Sequence, residues 1–194
     1  GSNVETVGSF SGHVGEDLLE KRDCVARVRE TDGLIVTAHS VAVAIQTADC
    51  VPLLIADVRR RHVAAIHAGW RGSLERISEK AVGAMVRLGS DPADMVVWMG
   101  PTIRRESYEV GPELAERFRA AFPSYDGIVF DNCLDLVFIN ACQLYEAGVP
   151  AAQIHAANCC TKSNVAFCYS YRAEGEATGR MVTYAMILPE ARED

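Results

Sequence analysis

The chain has 194 residues, of which 49% are hydrophobic and 23% charged, with a formal net charge of −7. That length and balance predict one domain, residues 1–194, with an ordinary globular core. The acidic balance argues against binding to nucleic-acid backbones, which requires a basic face, while leaving room for a small anion held by a few local arginines. No apolar run reaches the roughly 18 residues of a membrane span, and the start Gly1-Ser2-Asn3 lacks the charged and apolar regions of a leader. The expectation is a cytoplasmic chain with no nucleic-acid or membrane partner. The cysteines number 7, and an odd count fits reduced thiols better than a disulfide framework.

Residues 1–23 are polar and Gly-rich. From Val25 the pattern becomes β-like, with strands predicted over 25–29, 33–37, 41–45, 52–56 and 63–67 and a charged turn at 57–61. Leu74, Ile77, Ala81, Ala84, Met85 and Leu88 fall at helical spacing, so a helix is predicted over 74–88, capped by Ser73 and stopped by Gly89. A strand follows at 95–99, then helices at 112–121 and 134–147, the latter ended by Gly148. Short strands are predicted at 155–157, 165–170 and 180–188. Alternating elements and doubly apolar strands predict an α/β (α+β) layered sandwich of mixed β-sheets covered by helices. No Gly-x-Gly-x-x-Gly or Walker loop supports dinucleotide or NTP binding.

Two features resist a purely structural explanation. Asp49 and Cys50 stand between apolar strands, where a carboxylate needs partners and Pro52 marks a bend. His67 closes a strand just before Gly69 and Gly72, which let the backbone approach a ligand closely. If the intervening strands are neighbours, thiol and imidazole converge on one rim, as a metal site or as a nucleophile–base pair; the spacing does not choose between them. Arg71 is a candidate anion clamp. The loop 100–111, with Arg104 and Tyr108, is a candidate substrate lining, and Arg172 and Arg180 are candidate phosphate ligands. Cys159-Cys160 reads as two buried thiols rather than a redox pair.

Thr47-Ala-Asp-Cys50-Val-Pro, His67-Ala-Gly-Trp-Arg-Gly72, Gly100-Pro-x-Ile followed by Tyr108-Glu-Val-Gly111, and Ser170-Tyr-Arg172 followed by Thr178-Gly-Arg-Met181 occur in that order. Together they resemble the polyphenol-oxidase/laccase-domain family, the bacterial relatives of FAMIN, over about residues 31–188, and more weakly at Gly12–Asp17. The resemblance implies a purine nucleoside enzyme: phosphorolysis of adenosine, inosine, guanosine and methylthioadenosine, and deamination of adenosine. It implies a zinc ion held by one cysteine and two histidines, with copper as the alternative metal. Cys50 and His67 match two of those ligands and would be the catalytic centre. His13 is the candidate for the third, ahead of His39, because the stretch Lys21–Arg29 contains no histidine. Arg71, Arg104, Tyr108 and Arg172 would then bind substrate, a purine nucleoside and phosphate. Asp49 would orient His67 or Arg71 from behind. The rival chemistries are a copper polyphenol oxidase and a metal-free Cys–His hydrolase with Cys50 as nucleophile and His67 as base.

Overall fold

The computed structural model describes residues 30–189 throughout, together with the backbone of the strands β1 (Val4–Val7), β2 (Leu19–Arg22) and β3 (Val25–Val28). The frame is a six-stranded sheet in the order β1-β4-β7-β6-β8-β11. Its further strands are β4 (Gly33–Val36), β6 (Val51–Asp57), β7 (His62–Ala68), β8 (Met95–Met99) and β11 (Ile154–Ala156). The outer pairs β1/β4 and β8/β11 are parallel and the inner pairs antiparallel, so the sheet is mixed, as predicted.

Strand alternation sends side chains to two cores. Ile35, Leu53, Ile55, Ala64 and Ile66 pack against Ile77, Ala81, Met85, Phe118 and Ile139 on the helical side. On the opposite face Val36, Ala65, Leu34 and Leu54 meet Val43 and Ile45. Those last two belong to β5 (Ala42–Thr47), which pairs with β12 (Met181–Met186) in a separate antiparallel ribbon. A strand buried from both sides must be apolar at consecutive positions, which is why β6 reads as an almost unbroken hydrophobic run. Each fully buried Leu, Ile or Phe contributes about 1.5–3 kcal/mol by leaving water.

The helical layer comprises α1 (Trp70–Leu74), α2 (Ile77–Arg87), α3 (Pro112–Ala121) and α4 (Leu136–Glu146). The sequence predicts one helix over 74–88; the chain instead breaks between α1 and α2, where Arg76 adopts a left-handed φ of 61°. Ser73 is therefore not a cap. It lies inside α1, fully buried, and its Oγ accepts from Asn140 Nδ2 at 2.8 Å. Asn140 Oδ1 accepts from Ser78 Oγ at 2.6 Å, and Gln143 Nε2 donates to the Ser73 carbonyl at 2.7 Å. This buried network ties α1 to α2 and α4, and so fixes the turn that follows His67. Truncating Asn140 to Ala strands the Ser73 and Ser78 hydroxyls and is expected to cost about 2 kcal/mol. The unfolding midpoint should then fall by roughly 4–8 °C, as calorimetry would show.

Three further departures concern local chemistry. The segment 165–170 is not a strand: after a 3₁₀ turn at Lys162–Asn164 it runs to Ser170, whose Oγ caps the short helix α5 (Tyr171–Glu174) by accepting from Ala173 N. Val165, Phe167 and Tyr169 mimic strand periodicity there. Residues 133–134 form β10, paired with β9 (Val129–Phe130), and α4 starts later, capped by Asp135. Pro52 makes no bend. It sits within β6 opposite His67, and its carbonyl accepts from Gly100 N beyond the end of β8. The Pro52–Gly100 pair lies just past the end of β8, so the N–H that proline lacks costs the ladder a bond only at its margin.

Candidate active site

The register of β6 and β7 builds the centre. Val51 pairs with Ala68 and Pro52 with His67, so Cys50, one residue before β6, lies beside the last turn of β7. The backbone between them is open because residue 69 is glycine: a Cβ there would lie 3.0 Å from Cys50 Sγ and 3.7 Å from His67 Nε2. Thiol and imidazole thus converge on one point above Gly69, and any side chain at 69 would fill the space they share.

The far side of the imidazole is anchored. His67 Nδ1 lies 3.0 Å from Asp32 Oδ1, and the His67 amide donates to the Asp32 carbonyl at 2.7 Å. Asp32 precedes β4, the neighbour of β7. The result is an Asp32–His67–Cys50 relay. Hydrogen bonding to Cys50 raises the pKa of His67 most, with burial opposing and the charges of Cys50 and Asp32 adding, and pushes it up to about 9. Nδ1 donates to the Asp32 carboxylate, and a metal ion at Nε2 would take the place of any proton there.

Asp49 shapes the approach of Cys50 to this centre. It is a non-glycine residue at φ 86° and is 7% exposed. Its backbone conformation is held by hydrogen bonds on every side. Oδ1 accepts from Thr161 Oγ1 and Oδ2 from the Arg172 amide, each at 2.6 Å, while its carbonyl accepts from Thr102 Oγ1 at 2.6 Å and from Ile103 N at 3.0 Å. The expected partners of Asp49, His67 or Arg71, are therefore not the ones it takes. The residue that orients His67 is Asp32, and Asp49 instead pins three distant segments to the Cys50 turn.

Tyr108 and Arg172 are brought to this region. The Arg172 guanidinium lies 4.9 Å from the Tyr108 ring centroid, and its Nη1 donates to the Glu109 carbonyl at 2.7 Å. Burial pushes the Tyr108 phenol up to about 12, reinforced by the nearby charges of Cys50 and Asp49 and opposed by Arg172. Arg71 stacks on Trp70 at 4.4 Å, and Arg117 from α3 approaches the same ring at 5.9 Å. Arg104 goes elsewhere. Its guanidinium reaches the Ala157 carbonyl, and the residue lines a depression of about 460 Å³ with Arg105, Asp126 and Phe138, which excludes Cys50 and His67. Arg180 binds the carbonyls of Thr178 and Gly179.

Two donors and an anchored imidazole fit a metal centre, since ligating histidines commonly give their second N–H to a carboxylate. The described residues contain no group of three or more His, Cys, Asp or Glu side chains placed to hold an ion. His13 lies outside the described residues. His39 is remote: it follows Val36, which pairs with Val63, at the opposite end of β7 from His67. Asp32, Thr161 and Arg117 were not singled out in the sequence. A lone Asp before a strand, a Thr in a polar loop and an Arg on an exposed helix face carry no local signal of their roles.

A layered sandwich with a Cys–His pair at the end of its central sheet, backed by a carboxylate, is the class that fold and site define. The profile of the family described as multi-copper polyphenol oxidoreductase laccase matches residues 4–188, and the chain belongs to that family. It is 39% identical over 154 residues to a purine nucleoside phosphorylase of Deinococcus radiodurans, covering 78% of this chain and 59% of the relative. It is 34% identical over 164 residues to adenosine deaminase RL5 from an unknown prokaryotic organism, covering 81% and 63% respectively. Among solved structures, YlmD from Geobacillus stearothermophilus superposes with a TM-score of 0.79 at 30% identity, over 86% of this chain and 64% of that one. The matched stretch thus spans about three fifths of these curated relatives.

Proposed function

We propose that this protein is a zinc-dependent purine nucleoside enzyme that phosphorolyses adenosine, inosine, guanosine and methylthioadenosine and deaminates adenosine. The observation that carries the reading is the convergence of Cys50 Sγ and His67 Nε2 above Gly69, with His67 Nδ1 fixed on Asp32. The names of the relatives, purine nucleoside phosphorylase and adenosine deaminase, support the substrate class. Cys50 and His67 would hold the ion, with His13 as the third ligand. Zinc, when bound, supplies Lewis-acid polarisation and lowers the pKa of water.

The chain's own groups do the positioning. Asp32 keeps the proton on Nδ1 and leaves Nε2 free to coordinate. Tyr108 stays protonated at neutral pH, so its hydroxyl donates a hydrogen bond to substrate. Arg172 spends one Nη on the Glu109 carbonyl; its remaining N–H groups face a phosphate or ribose oxygen, and Arg71 offers a second guanidinium. In phosphorolysis a phosphate oxygen bonds to C1′ as the purine leaves. In deamination water adds at C6 and ammonia departs. Among the described residues no helix is long and apolar enough to cross a membrane.

Incubation of metal-replete protein with adenosine, with and without phosphate, should yield inosine, adenine and ribose-1-phosphate by chromatography. Absence of all three overturns the reading. Metal analysis separates zinc from copper, the metal in the family's description. Replacing Asp32 by Ala is expected to weaken metal affinity and turnover 10- to 100-fold, read by chelator competition and initial rates. The relay itself favours one second reading, a metal-free hydrolase with Cys50 as nucleophile, His67 as base and Asp32 as orienter. Activity that survives chelation but is lost in Cys50→Ala would establish that alternative.

A further inference from the structure

The loop that holds Asp49 carries a pair of thiols. Cys159 Sγ and Cys168 Sγ lie 3.9 Å apart. Among the described residues it is the one pair of cysteines in thiol contact. The intervening loop is already closed by its own hydrogen bonds: Asn164 N donates to the Thr161 carbonyl, Asn164 Nδ2 to the Cys160 carbonyl, and the amides of Phe167 and Cys168 to the Asn164 carbonyl. Its start is fixed to the 102 segment by Thr102 N donating to the Cys159 carbonyl and Thr161 N to the Thr102 carbonyl. The two thiols are thus held in contact by an ordered loop, and closing to the ~2.05 Å of a disulfide shortens their separation by about 2 Å.

We infer that Cys159 and Cys168 form a reversible disulfide that braces the loop holding Asp49. The oxidant class is a low-molecular-weight disulfide. Cys159, half-buried where Cys168 is 8% exposed, attacks first as its thiolate. The reagent S–S bond breaks, a mixed disulfide forms, and one reagent thiolate leaves and takes up a proton. Cys168, having released its proton to solvent, attacks Cys159 Sγ; the protein S–S bond forms and the second reagent thiolate leaves and is protonated. Two cysteine thiols lose two electrons and two protons, and one reagent disulfide becomes two thiols. The link holds Thr161 and, four residues beyond Cys168, Arg172 in place on the Asp49 carboxylate. It leaves Cys50 and His67 untouched.

The inference does not rest on the nucleoside reading, and its readouts need no turnover. Folded protein treated with oxidised glutathione should lose about 2 Da by intact mass and give a non-reduced peptide joining Cys159 to Cys168. Its unfolding midpoint should rise by roughly 5 °C and return on reduction. Cys159→Ser and Cys168→Ser should each abolish both changes, and Cys160→Ser should keep both. Differential alkylation of the unsubstituted chain reports the same pair without any variant. Thiols that all stay free, a mixed disulfide that persists at Cys159, a bridge through Cys160, or a link without the thermal rise would each overturn the proposal.

Discussion

Replacing His67 by Ala is expected to lower nucleoside turnover by about 10²- to 10⁴-fold while leaving the fold intact. Nε2 is the group that meets Cys50 above Gly69, and Nδ1 is the group that holds Asp32. One substitution therefore removes a candidate ligand and unpairs the carboxylate behind it. The cost to stability is small, because both His67 and Asp32 side chains are more than a third exposed, at 36% and 37%; water can replace the lost bond. The measurement is kcat/KM for adenosine beside a thermal melt. A variant that melts normally and retains turnover within tenfold of the parent would remove His67 from the centre. Cys50→Ala should lose as much, and metal retained after dialysis should fall in both variants, which a purely structural role would not produce.

The largest stability effect is expected at Asp49. Asp49→Ala removes the acceptors for the Thr161 hydroxyl, in a buried bond, and for the Arg172 amide, in a half-buried one. It also places an ordinary Cβ residue at φ 86°, a region that Asp tolerates better than Ala. The combined cost is about 3 kcal/mol, a fall in unfolding midpoint of roughly 6–12 °C. Asp49→Gly separates the two contributions, because glycine relieves the backbone strain and not the lost hydrogen bonds. It should recover about 1 kcal/mol of the loss. Equal melting of the Ala and Gly variants would show that the positive φ carries no strain here. Turnover should fall in both, since Cys50 follows directly on the residue that three segments hold.

The elements were legible wherever one physical signal dominated. The apolar run of β6 is forced by burial from both faces, and α3 spans the predicted 112–121, with Pro112 at its start and Gly111 before it. The misreadings share a cause: a local pattern overruled by contacts distant in sequence. Ser73 has the chemistry of a cap, but Asn140 and Gln143, roughly seventy positions along the chain, draw it into the core. Val165, Phe167 and Tyr169 alternate like a strand, but Ser170 and Arg172 fold the segment that follows onto Asp49. Arg104 has the charge for an anion, yet its backbone and guanidinium are committed to Cys160 and Ala157.

The sequence by itself determined most of the strands and helices, the mixed layered fold, and the motifs that set Cys50 and His67 apart, because apolar periodicity and residue type are local properties. Only the tertiary structure decided which groups meet. Antiparallel pairing of β6 and β7 turns a separation along the chain into a shared point above Gly69. The pairing of β4 with β7 delivers Asp32 to the back of the imidazole. Neither follows from residue type, since strand register is set by the whole buried face and not by the residues that the register brings together.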